Sequence, residues 1–173
     1  MTGRDSTAGP RLLPLPVAPR SSAEEILEVL HAAYRREARL LRVDSFPPLE
    51  RTVEGVEGAA TRFFGLRRQG RLAAVAEIAG LGEDRRGIWS FVVHPDFFRQ
   101  GLGSRLLKLL LERFRGSALE VSTARANEPA LRLYEKLGFR RTKLWQHPRG
   151  LEMVTLELSE SRRGKSGREE LEA

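Results

Sequence analysis

His94-Pro95-Asp96-Phe97-Phe98-Arg99-Gln100-Gly101-Leu102-Gly103-Ser104-Arg105-Leu106 follows the apolar run Ile88-Trp89-Ser90-Phe91-Val92-Val93 and leads into an amphipathic stretch from Arg105 to Phe114. The run reads as a buried strand and the stretch as a helix. Strand, glycine-containing turn and helix in succession form a cradle for a phosphate-bearing ligand. Gly101 and Gly103 permit open or left-handed backbone and close approach to the ligand. The free N–H groups of the turn and of the first helical turn point at the anion, and the helix dipole favours its charge. Two phosphate-binding readings fail. No Gly-x-x-x-x-Gly-Lys-Ser/Thr string occurs in the chain, so there is no P-loop. A dinucleotide fingerprint needs a third glycine where Leu106 stands. Taken alone, Gly101-x-Gly103 also fits a plain tight turn.

Working outward, 173 residues with 40% hydrophobic content suit one domain around a single core. No stretch reaches the length of a membrane span, so a soluble, cytoplasmic protein without a membrane partner is expected. The chain has no cysteine, which excludes disulfides, thiolate metal sites and a cysteine nucleophile. His31, His94 and His147 show no metal-ligand spacing, and no metal is expected. The net charge of +7 rests almost entirely on arginines scattered along the chain. They come without a zinc-finger or RNA-binding signature, so a solvated basic surface is preferred to a nucleic-acid footprint. The same charge suits a polyanionic cofactor.

Along the chain, residues 1–11 read as a flexible segment and 159–173 as a disordered charged tail, with one domain over 12–158. Leu12 to Ala18 carries Pro14 and Pro16 and can only be an edge strand or an extended segment. Ser21-Ser22-Ala23-Glu24-Glu25 offers a capping box for a helix ending before Ser45-Phe46-Pro47-Pro48. A short helix is expected from Leu49 into Val56. Thr61–Arg67 and Arg71–Ala79 form a hairpin about Gln69-Gly70. After the strand and helix of the glycine turn come a C′ glycine at Gly116, a strand over Ala118–Thr123 and a helix over Glu128–Leu137. Strands over Phe139–Trp145 and Leu151–Leu158 close the domain. The order predicts an α+β domain with helices on both faces of a mixed sheet.

A second segment, Asn127-Glu128-Pro129-Ala130-Leu131-Arg132-Leu133-Tyr134-Glu135-Lys136-Leu137-Gly138-Phe139, places Asn127 and Tyr134 two helical turns apart on one face with Ala130 between them. Together with the glycine turn it resembles the GNAT superfamily of acyl-CoA-dependent N-acyltransferases. The turn matches motif A of that family, V-x-P-x-x-R/Q-x-x-G-x-G/A, and the second segment matches motif B, N-x-x-A-x-x-x-Y-x-x-x-G-F. The resemblance implies a three-layer α/β/α domain with a central mixed, mostly antiparallel sheet of about seven strands and four helices. It implies acetyl-CoA as acyl donor and an amine acceptor, small molecule or protein, with a homodimer as a possible assembly.

Carried over residue by residue, the resemblance puts the cofactor pyrophosphate on Arg99, Gln100, Gly101, Leu102, Gly103 and Ser104. The pantetheine arm falls along the backbone of Phe91, Val92 and Val93, and against Asn127, Ala130 and Tyr134. Tyr134 would donate its phenol proton to the departing thiolate, a task suited to a group whose ordinary pKa is about 10. Asn127 also reads as a helix N-cap, and Tyr134 as a packing residue among Leu131, Leu133 and Leu137. Phe98 stands where the family prefers Arg or Gln, with Arg99 next to it.

The amine must lose a proton. Some family members carry a glutamate near the start of the strand before motif A, but Gly87-Ile88-Trp89-Ser90 has no carboxylate. Glu77, alone in the apolar Leu72–Ala79, is the candidate base. Alternation places it opposite in facing to Leu72, Ala74, Ala76 and Ile78; its plain alternative is a solvent-facing strand residue. Glu120 is the second candidate. Phe46, Pro47 and Leu49, with Tyr34 and Trp89, are expected to line the acceptor pocket. Two other function classes compete: a CoA-binding module without turnover, and a nucleic-acid-binding protein supported by charge alone.

Overall fold

Over the residues that the computed structural model describes, 9–159, the chain forms β1 (Leu13–Leu15), α1 (Arg20–Leu41), a 3-10 turn (Pro47–Glu50), α2 (Val53–Glu57), β2 (Arg62–Arg68) and β3 (Arg71–Gly80). Next come β4 (Arg85–Val93), a 3-10 turn (Pro95–Phe97), α3 (Leu102–Arg113), β5 (Ala118–Ala124), α4 (Glu128–Lys136), β6 (Arg140–Gln146) and β7 (Glu152–Leu158). Residues 1–8 of the expected N-terminal segment, and 160–173 of the expected charged tail, lie outside the described residues. The seven strands make one sheet in the order β1-β2-β3-β4-β5-β7-β6. Its one parallel pair is β4 with β5. The seven-stranded mixed sheet and four helices match the architecture expected from the sequence.

Two apolar clusters make this a three-layer domain. On one face Leu102, Leu106, Leu107 and Leu110 of α3 and Leu131 and Tyr134 of α4 pack on Ala74, Ala76 and Ile78. On the other, Ala23, Ile26, Val29, Leu30 and Tyr34 of α1 pack with Val56 on Phe63, Val75 and Val92. Each fully buried leucine contributes about 1.5–3 kcal/mol. Buried on both faces, β3 reads as a nearly continuous apolar strand for that reason.

Several sequence expectations shift locally. Leu72 packs with the α1 cluster, not with Ala74 and Ala76, because a register shift sets Leu66 opposite Ala74 and Arg67 opposite Leu72. The extra residue between them, Ala73, reverses the alternation. No capping box forms at α1: its N-cap is Pro19, which puts Ser21 and Ser22 inside the first turn. Glu24 and Glu25 turn outward to Arg20 and Arg67 instead. The helix expected over Leu49–Val56 divides into the 3-10 turn and α2, because Thr52 accepts from Gly55 N–H and caps a new start. α3 begins three residues before Arg105, so Gly103 is helical and Gly101 alone of the two has a left-handed φ, 73°. α3 ends with Phe114 as its C-cap, two residues before Gly116.

The site is set by where β4 and β5 part. They pair over Arg85–Ile88 and Ala118–Val121 and no further. Beyond Ile88 the two strands part, and β5 continues paired with β7 alone as far as Ala124. At the point of divergence β4 also carries a bulge: Glu77 opposes Ser90 while Ile78 opposes Ile88. The extra residue is Trp89, which is 65% exposed.

Candidate active site

A cavity of about 280 Å³ fills the opening between β4 and β5. Trp89 and Phe91 line it from β4, and Ser122, Thr123 and Ala124 from β5. Asn127, Ala130 and Tyr134 line it from α4, Tyr34 and Glu37 from α1, and Phe46 and Pro47 from the turn above. His147, Leu151 and Met153 complete the wall. Phe91, from the strand that precedes the glycine turn, and Asn127, Ala130 and Tyr134 of the second motif thus line one cavity.

Tyr134 is buried and packs edge-on against Phe91, with ring centroids 5.9 Å apart, and against Phe139 at 5.6 Å. It is both a packing residue and a wall of the cavity. Burial raises its phenol above the ordinary value, and the nearby Glu37 and Tyr34 raise it further. The group therefore carries its proton throughout the neutral range. Asn127 accepts from the Ala130 N–H through Oδ1 at 3.3 Å, which is the N-cap of α4. Its Nδ2 donates to Glu37 Oε1 at 3.0 Å.

The glycine turn lies at the end of β4. Leu102 is buried in the core, whereas Arg99, Gln100 and Gly101 are exposed. Arg99 adopts φ 62° beside Gly101, an uncommon backbone state for a residue with a side chain. The Arg105 N–H pairs with Gly101 C=O, which leaves the first-turn N–H groups of Leu102, Gly103 and Ser104 without helical acceptors. A Cβ on Gly103 would come within 3.4 Å of Leu133 Cδ2, 3.7 Å of Val93 Cγ2 and 4.0 Å of Phe91 Cε1. Glycine thus keeps open the corner where α3, α4 and β4 converge, and the cradle fits an anionic group. Phe98, at the family's Arg/Gln position, is exposed.

The carboxylates depart from expectation. Glu77 shares a face with Val75 but is not solvent-facing; only 3% of it is exposed. Its Oε1 accepts from Arg51 Nη2 at 2.9 Å and Thr61 Oγ1 at 2.7 Å. Its Oε2 accepts from Arg51 Nη1 at 2.6 Å and Ser90 Oγ at 2.8 Å. Burial alone would push this carboxyl up; the hydrogen bonds from Arg51, Thr61 and Ser90 outweigh it and hold the group below the ordinary carboxylate range. Glu77 lines a neighbouring cleft with Arg51, Thr61 and Ser90, which shares Tyr34, Pro48 and Trp89 with the first cavity. Glu120 lines neither cavity: it pairs with Arg85 at 2.8 Å near the start of β5. Leu49 packs against the α1 cluster rather than into the cavity.

Sequence reading did not single out Glu37, Arg51, Ser90 or His147 for the site. Only Glu37 left a trace. It falls at the helical phase of Leu30, Ala33, Tyr34 and Leu41, an acid where the pattern calls for an apolar residue. The roof of the cavity is fastened by Arg149, from the loop between β6 and β7. It donates to Ser45 Oγ at 2.7 Å and to Glu50 at 2.6 and 3.2 Å.

In sequence and in fold the chain is similar to known proteins. The [Ribosomal protein bS18]-alanine N-acetyltransferase of Escherichia coli (strain K12) is 37% identical over 113 residues, 64% of this chain and 74% of that protein. The UPF0157 protein YqkA of Bacillus subtilis (strain 168) is 32% identical over 142 residues, and the match takes in 82% of this chain but only 41% of that longer protein. The solved structure of yncA, a putative acetyltransferase from Salmonella typhimurium with acetyl-CoA, shares the fold at a TM-score of 0.64 and 18% identity, over 88% of this chain and 95% of that one. The family model described as Acetyltransferase (GNAT) family matches residues 24–139, both motifs included, and the chain belongs to that family.

Proposed function

We propose that this protein transfers an acetyl group from acetyl-CoA to a primary amine, by direct attack of the amine on the thioester. The observation that carries this reading is the presence of Tyr134 in the wall of the cavity where β4 and β5 part. A pantetheine arm is extended and carries amides, so it can add to the free edge of β4 at Phe91, Val92 and Val93 as a peptide strand would. Asn127 and Ala130 form the opposite side of that channel. The N–H groups of Arg99, Gln100, Gly101, Leu102, Gly103 and Ser104 receive the pyrophosphate, and the Arg99 guanidinium adds positive charge where Phe98 supplies none.

Within the cavity the reactants are held side by side, which removes much of the entropic barrier. A β4 N–H beside the Trp89 bulge polarises the thioester carbonyl. Tyr134 gives its proton to the sulfur as the C–S bond breaks. The acceptor enters between Phe46, Pro47, Tyr34 and Trp89, whose apolar surfaces suit an amine carried on a hydrophobic body. The name of the Escherichia coli relative supports a protein acceptor, and an alanine-bearing peptide amine is the first to try.

The test is release of free CoA from acetyl-CoA across a panel of small amines and peptides, for the wild type and Tyr134→Phe. Turnover with at least one amine is expected, with kcat lowered by about 10²-fold or more in the variant and CoA affinity retained. Tight CoA binding without turnover on any amine would instead favour a CoA-binding module. Salt-sensitive retention on nucleic acid without CoA binding would overturn the reading.

A further inference from the structure

Proton removal from the acceptor has no obvious owner once Glu77 is seen in place. All the hydrogen-bonding directions of that carboxylate are taken up by Arg51, Thr61 and Ser90. A carboxylate bonded on both oxygens to a guanidinium is a poor proton acceptor. Among the residues lining the Tyr134 cavity, the one carboxylate is Glu37. Asn127 holds its Oε1. Its Oε2 has no hydrogen-bond partner among the described residues and is not sealed from solvent. One lobe of the carboxylate is thus fixed and the other is free.

The geometry points to Glu37 as the group that takes the proton from the acceptor amine, in the cavity that Tyr134 also lines. This inference rests on the N-acetyltransferase reading above. The acceptor arrives as an ammonium, and Glu37 Oε2 takes one proton and frees the nitrogen lone pair. The N–C bond forms at the thioester carbonyl carbon and the C–S bond breaks. Tyr134 protonates the thiolate, and the second nitrogen proton restores the phenol. Glu37 passes its proton to solvent, so the products are the amide, free CoA and one proton.

The surroundings support the assignment. Burial pushes the Glu37 carboxyl up, with the Asn127 hydrogen bond opposing, and its ionised form is a stronger base than a solvated carboxylate. The titratable groups that share the cavity are Tyr34 from α1, Tyr134 from α4 and His147 after β6. Both phenols are raised by burial and stay neutral, leaving His147 as the competing acceptor. Asn127 is a positioning residue that orients Glu37.

The experiment is the pH profile of kcat/KM on an amine found in the panel, for the wild type, Glu37→Gln, Glu37→Asp and His147→Asn, alongside CoA affinity. Gln keeps an oxygen for Asn127 and loses only the basicity. The wild type is expected to show an acidic limb. Glu37→Gln should abolish that limb and lower kcat/KM by about 10²-fold with CoA affinity unchanged. Glu37→Asp, folded and binding CoA, should keep the limb at a reduced rate. A Glu37→Gln enzyme with wild-type rate and profile overturns the assignment while the N-acetyltransferase reading stands. Loss of the limb in His147→Asn alone moves the role to His147. A wild type inert toward every amine overturns both readings.

Discussion

Asn127 Nδ2 donates to Glu37 Oε1 across 3.0 Å, joining the first turn of α4 to α1 over 90 residues of sequence. The opposite end of the same amide caps α4. One side chain therefore sets both the start of the helix that carries Tyr134 and the orientation of the carboxylate beside it.

Glu37 and Glu77 should shift stability with pH in opposite senses. Burial raises the Glu37 carboxyl in the fold, so its contribution is full below the ordinary carboxylate range and is lost as pH rises through the raised value. At neutral pH Glu37→Gln should raise Tm, and the gain should shrink on acidification. Glu77 is held low, so its contribution is full above the ordinary range and is lost as pH falls through the lowered value. Glu77→Gln should lower Tm at neutral pH, with the loss shrinking in acid. Thermal melts from about pH 2 to 8 check both signs.

Arg51 should be costly to remove alone. Arg51→Leu leaves a buried carboxylate without its counter-charge, which is expected to cost about 3–5 kcal/mol. Arg51→Leu combined with Glu77→Leu should recover much of that loss. Urea unfolding of the two singles and the double measures the coupling; strict additivity would contradict it.

Gly103→Ala should separate stability from ligand binding. Its Cβ would make ordinary contacts with Leu133, Val93 and Phe91, and alanine inside a helix gains roughly 0.5–1 kcal/mol over glycine. The methyl meets those apolar side chains, and motif A of the family admits alanine at this position. Tm should rise while CoA affinity stays near the wild type, as calorimetry would record. A marked loss of affinity would mean that the methyl reaches the cofactor.

Arg149→Ala should unfasten the roof over the cavity. Arg149 and Glu50 are exposed, and exposed ion pairs add little to stability. Tm should stay within error of the wild type, while KM for the acceptor changes and CoA affinity does not. An acceptor KM equal to the wild type would free the clasp of any part in acceptor entry.

Much of this was legible in the sequence because it is local. Hydrophobic period and turn residues specify the strands and helices, and the spacing from Asn127 to Tyr134 fixes one helical face without tertiary knowledge. The glycine turn was legible as a position, although of its two glycines only Gly101 adopts a left-handed φ. The carboxylates were not legible. Whether Glu77 faces solvent or a guanidinium depends on Arg51, 26 residues away, and no period encodes that partner. Leu72 was misassigned because a single bulge inverts every later side chain in the strand.

The parting of β4 and β5 has a mechanical consequence. Past Ile88, the middle of the sheet is one strand short, and backbone groups of Trp89–Val93 that would meet a neighbour instead meet solvent. A donor lying there would act as a removable structural member, and loading would finish the architecture. At a hundred times its Kd such a ligand adds about 2.7 kcal/mol to stability. The amides of that half-strand that do not pair with β3 should exchange slowly only while loaded. Each departure of free CoA would then reopen the centre of the sheet, linking product release to a brief loosening of the fold.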